Sequence, residues 1–232
     1  VASEVDICKL ALSHLGDAAL VTSISPPDGS AQSYHCAVFY PLARDALQEM
    51  HDWGFVMKRV ALAQLANLTT EWAYCYAQPA DMINTIAIMA PDAGDDVSVS
   101  SVQISSWQET PLPSGGIGGY TPQPFQLESA ADGTDVIYTN QANAVLRYTA
   151  RVSDTTKFSP LFTKTLAASL ASMLAGPIVK GEAGNAAAAR WEMIAFGRDG
   201  KSGLFGQAAA SDANQRRSTA RDRQQVSWIA GR

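Results

Sequence analysis

The chain has 232 residues, 47% of them hydrophobic and 17% charged, with a net charge of −5. That length buries roughly 70% of the unfolded surface, and the composition excludes a disordered, collagen-like or disulfide-stapled chain. From Lys201 onward the charge is +4 (Lys201, Arg216, Arg217, Arg221, Arg223 and Arg232 against Asp212 and Asp222), which leaves −9 on the body and argues against a body that wraps DNA.

Ser3 and Asp6 have the spacing of a capping box, followed by a stripe of Val5, Cys8, Ala11, Leu12 and Leu15 and a stop at Gly16. Residues 20–29 carry turn signals, Pro26 with Pro27 and Asp28 with Gly29. A second helix is expected over residues 30–50, with a kink or a broken start at Pro41. Phe39, Leu42, Ala43, Ala46, Leu47 and Met50 form its expected core face, and Arg44, Asp45, Gln48 and Glu49 its wet face. The helix runs into Trp53, Gly54 and Phe55, an aromatic turn that anchors the exit.

The middle of the chain reads as strands. Residues 58–64 fit helix or strand, 72–76 are extended, 79–81 turn, and 83–89 return as a strand. Residues 91–143 are rich in Gly, Pro, Ser, Thr and Asp, with strand-like pieces at 97–107, 125–127 and 136–138 and a proline-rich loop at 111–124. In 145–152, Leu146, Tyr148, Ala150 and Val152 alternate with Arg147, Thr149 and Arg151, giving one buried and one wet face.

Helix then returns. Ser159 caps a helix with Pro160 at its first position, a core stripe of Leu161, Phe162, Leu166, Leu170, Met173 and Leu174, and a stop at Gly176 and Pro177. Ala167, Ala168, Ala171 and Ala175 permit close helix approach, and a last helix covers 185–196. The fold class is α+β: a helical bundle from both chain ends (1–54 and 153–200), a strand-rich insertion (55–152) and an extended basic tail (201–232).

Catalytic signatures are weak throughout. FGRDGKS at 196–202 resembles a phosphate loop, but Ala195 stands where the first glycine belongs and a helical stretch precedes it. GGIGG at 115–119 lacks the context of a dinucleotide fingerprint. His14, His35 and His51 with Cys8, Cys36 and Cys75 show no metal-ligand spacing and read as surface histidines and core cysteines. No G-x-S-x-G elbow occurs, and Asp95 and Asp96 read as a solvated turn. No metal, no cofactor and no catalytic residue are therefore expected. Few, odd-numbered cysteines fit a reducing compartment, the absence of a basic leader fits a cytosolic product, and residues 165–179 fall short of a membrane span.

Four blocks in order carry a family likeness: ICKLALSHLG at 7–16, YPLARDALQEMHDWGF at 40–55, WAYCYAQPADM at 72–82, and RYTARVSDTTKFSPLFTKTLAASLASMLA at 147–175. Together they resemble the head-to-tail adaptors (tail tubular protein A) of short-tailed bacteriophages, over about residues 3–200. The resemblance implies a structural virion protein at the head-tail junction, made in the host cytoplasm and free of enzymatic activity. It implies a ring, usually of twelve copies, between the portal protein and the tail nozzle, with possible fibre contacts through the insertion and the genome passing through the lumen without sequence-specific binding. The tail offers Arg216, Arg217, Arg221 and Arg223 for contacts with acidic protein, and Trp228 and Ile229, beside Val226, as an apolar anchor that folds onto a partner or onto the chain's own bundle. Two other classes compete: a virion-associated cell-wall hydrolase, and a nucleotide-dependent packaging component resting on the incomplete loop at Lys201.

Overall fold

The computed structural model describes residues 2–18, 20–67, 69–91, 123–130, 132–200 and 202–215. It is a mixed α+β protein, with five helices and two antiparallel sheets among the described residues. The chain divides into two compact units, one of residues 1–56 and 152–232, the other of residues 57–151.

The first unit is helical. α1 (Glu4–His14) starts at the expected capping box: the Ser3 hydroxyl accepts from the Asp6 N–H, and the Asp6 carboxylate accepts from the Ser3 N–H at 3.0 Å. α2 (Ala31–Glu49) is capped by Ser30, whose own N–H donates to Asp28 at 3.0 Å. Of the kink or broken start expected at Pro41, the broken start does not occur: α2 runs on through the proline, because Cys36, Tyr40, Ala43 and Leu47 on either side of it are all held in the core.

Ser159 caps α3 (Pro160–Val179) as expected, its hydroxyl accepting from the Phe162 N–H at 3.2 Å. Gly176 and Pro177 do not end α3; it continues to Val179 and stops at Lys180, whose φ is +61°. α4 (Gly181–Phe196) begins four residues before its expected start. The reason is Gly184, packed so closely on α3 that a Cβ there would lie 2.9 Å from the Ala175 carbonyl oxygen. α5 (Leu204–Gln215) replaces the first part of the expected extended tail with helix, since Phe205 and Ala208 reach the core and supply the burial that a polar helix needs; residues 216–232 of that tail lie outside the described residues.

α3 touches each of the other four helices. It is long and apolar enough to cross a membrane, yet ten of its residues are buried inside this unit, where its apolarity is already satisfied.

The second unit contains a three-stranded sheet ordered β1 (Met57–Ala61), β7 (Val145–Ala150), β4 (Met82–Met89), and a four-stranded sheet ordered β2 (Gln64–Leu65), β3 (Tyr74–Ala77), β6 (Asp135–Thr139), β5 (Phe125–Ser129). Tyr76, Ile88, Ile137, Leu146 and Tyr148 form its core, and Cys75, Val136 and Tyr138 a smaller cluster. β7 has Leu146, Tyr148 and Ala150 buried as its alternation requires, but Thr149 is buried too, because β7 is the central strand. Asp81 joins β1 to β7: its carboxylate accepts from Lys58 Nζ at 2.6 Å and from the Tyr148 hydroxyl at 3.0 Å. The strand expected at 97–107, the loop at 111–124 except its last two residues, and Asp95 and Asp96 lie outside the described residues.

Candidate docking surface

α2 is turned differently from its sequence reading. Ala43 and Leu47 are buried as expected, and so are Arg44 and Gln48, which were assigned to water. Gln48 is fully buried because it completes the backbone of the returning chain. Its Nε2 donates to the Val152 carbonyl at 2.6 Å, and the Val152 N–H donates to its Oε1 at 2.9 Å. Arg44 is retained by Asp45, 2.8 Å away, and by the face of Tyr40, its guanidinium carbon 5.9 Å from the ring centroid. Burial pushes the Tyr40 hydroxyl above its ordinary pKa, and that oxygen has no hydrogen-bond partner among the described residues.

Turning those polar groups inward leaves apolar ones outside. Tyr34, Val38 and Leu42 are 62%, 44% and 58% exposed, and Ala46 continues the row. Their four-residue spacing aligns them as one ridge along the helix. No charged residue occurs in α2 before Arg44. An exposed apolar ridge beside buried polar side chains is more informative than either observation alone.

At the C-terminal end of α2 the ridge meets an acidic region. Asp45, Glu49 and Asp52 cluster there, and the last turn holds no basic residue. Beyond it, Trp53 is buried against Phe162 and Phe205, with ring centroids 5.0 and 5.9 Å away, and its indole N–H donates to the Leu47 carbonyl at 2.7 Å. Phe55, Phe158 and Phe162 continue the aromatic packing. α5 is fastened to this junction at its far end: the Gly54 N–H donates to both oxygens of Asp212, at 3.0 and 3.2 Å, and His51 Nε2 lies 3.4 Å from the same carboxylate. No sequence pattern linked Asp212 to Gly54; the pairing spans most of the chain and exists only in the fold.

The predicted docking residues Arg216, Arg217, Arg221, Arg223, Trp228 and Ile229 lie outside the described residues, as does Lys201. The last described residue, Gln215, follows Asp212 by less than one helical turn, so the segment that carries them starts beside the acidic end of α2.

The chemical candidates on described residues make structural contacts. The 196–202 stretch is a turn between α4 and α5, entered from a helix, and the Ser202 N–H donates to Asp199 at 2.8 Å, occupying an amide that a phosphate would need. Among the described residues, no group of three His, Cys, Asp or Glu side chains converges on a metal position. Cys8 and Cys36 are core thiols in mutual contact, and their hydrogen bond, with burial, raises the Cys8 thiol above its ordinary range. The histidines are not plain surface groups: His14 stacks on Trp191 at 4.2 Å, and His51 packs edge-on to Trp53 at 4.7 Å. Burial lowers the pKa of His14, favouring its neutral form.

The chain matches no protein-family model, and no curated protein is significantly similar to it.

Proposed function

We propose that the chain is a head-to-tail adaptor: a structural virion protein that forms a ring between a portal protein and a tail nozzle, with the genome passing through the lumen. In this reading the helical bundle from both chain ends is the ring-forming body, and the basic segment after Gln215 reaches the portal. The central unit takes the nozzle or fibre contacts.

The ordered set of blocks carries the reading. Three of them, at 7–16, 40–55 and 147–175, supply one core, in which Ile7, Leu12, Leu47, Trp53, Phe162 and Leu170 are buried together. The likeness therefore follows the residues that build the helical unit rather than scattered surface positions. The apolar ridge on α2 also suits a protein whose exterior meets other protein.

Mixing the protein with portal protein and following sedimentation and negative-stain images tests the reading. A symmetric ring on the portal is expected. A strictly 1:1 or asymmetric complex overturns it, and turnover of peptidoglycan or ATP by the pure protein would move it to one of the competing classes. Adaptors that assemble on their portal stay monomeric alone, so the portal must be present.

A further inference from the structure

The ridge on α2 needs an occupant, and the chain itself carries a matching one. Outward along α2 from its C-terminal end come the acids Asp52, Glu49 and Asp45, then the apolar Leu42, Val38 and Tyr34. Outward along the chain from Gln215 come four arginines, at 216, 217, 221 and 223, with the single acid Asp222 among them, and then Val226, Trp228 and Ile229. The two series run from the same point, because Asp212 fixes the end of α5 at His51 and Gly54, just past α2. Charge opposes charge and apolar faces apolar in the same order.

The lengths agree as well. α2 has 19 residues, about 28 Å at 1.5 Å per residue. An extended chain from Gln215 reaches Trp228 after roughly 40 Å, and a more compact one after proportionally less. Either covers the ridge without strain.

We propose that the outer face of α2 is the seat of the chain's own C-terminal segment, the arginines lying over the carboxylates at the end of the helix and Val226, Trp228 and Ile229 covering Leu42, Val38 and Tyr34. The seat needs no portal and does not rest on the adaptor reading. It means that a partner recruiting Trp228 must first take it from α2, so the segment is held back until a competing surface is presented.

The test uses the full chain with Ala46→Cys carrying a bimane fluorophore. Ala46 is exposed at the end of the ridge, while Cys8, Cys36 and Cys75 are buried and do not compete for the label. Tryptophan quenches bimane at close range, and Ala46 stands one helical turn from Leu42 at the edge of the seat. Expected are an emission that brightens when Trp228→Phe removes the quencher, the same brightening with Val38→Asp plus Leu42→Asp, and no change on dilution. Equal emission from the parent and Trp228→Phe proteins overturns the proposal. Quenching that is lost on dilution also overturns it, since a second copy then supplies the tryptophan. If the aspartate pair disturbs folding, seen as lost far-ultraviolet ellipticity, the Trp228→Phe comparison still decides.

Discussion

α2 and α3 are of nearly equal length and pack against one another, yet they spend their residues in opposite ways. α3 is apolar around most of its circumference and touches four helices, so ten of its residues are buried, Phe162, Leu166, Leu170 and Leu174 among them, while Met173, expected in its core stripe, is exposed. α2 lies at the surface with an uncharged N-terminal two-thirds, and it buries Ser33, Arg44 and Gln48 while leaving Tyr34, Val38 and Leu42 outside the helical core. Hydrophobicity alone therefore does not decide which face of a helix turns inward. A backbone that must be satisfied elsewhere, here at Val152, can outweigh two or three apolar side chains.

Four measurements break or sharpen that contrast. The largest effect is expected on α3: Leu170→Ala empties a fully buried site and should lower the unfolding free energy by about 2–5 kcal/mol in urea titrations. Next is the polar anchor of α2. Gln48→Ala strands both the N–H and the C=O of Val152, and a loss of about 2–4 kcal/mol is expected. If Gln48→Ala proved neutral while Leu170→Ala did not, the account of the helix's orientation would fail.

A smaller, pH-dependent effect is expected at the start of α2. The Thr22 N–H, with Ser30, holds the Asp28 carboxyl well below the usual carboxylate range. Its folded pKa lies below the unfolded value, so the contribution is complete above about pH 4 and is lost as pH falls further. Urea midpoints measured at pH 3 and pH 7 should differ less for Asp28→Asn than for the parent chain. The smallest effect belongs to the ridge: Leu42→Ala should change the unfolding free energy by no more than about 0.5 kcal/mol, since Leu42 lies outside the helical core, and the segment proposed to cover it can leave without unfolding that core.

Much of the fold was legible where local chemistry decides it. Ser3 and Ser159 cap as their spacing indicates, and the strands expected at 83–89 and 145–152 form as Met82–Met89 and Val145–Ala150. What was hidden depends on distant partners. Pro41 and Pro177 sit inside helices because tertiary packing outweighs a lost hydrogen bond, and α5 forms because Phe205 finds Trp53. The orientation of α2 is the sharpest case. Periodicity admits two neighbouring faces, and Val152, over a hundred positions away, selects between them.

One feature of the strand unit bears on how the whole chain folds. β1 and β7 are its first and last strands and pair antiparallel, Met57 opposite Thr149, so the chain leaves and re-enters through adjacent positions. Before that pairing forms, closing the helical core means closing a loop of about ninety-five residues, 57–151. Once it forms, the effective loop is a handful of residues, and the entropy of closure falls by about 2–3 kcal/mol. The strand unit thus promotes assembly of the helical one through chain statistics. A cassette bounded in this way can be exchanged for another hairpin-ended module, whatever its sequence, provided that its two ends meet.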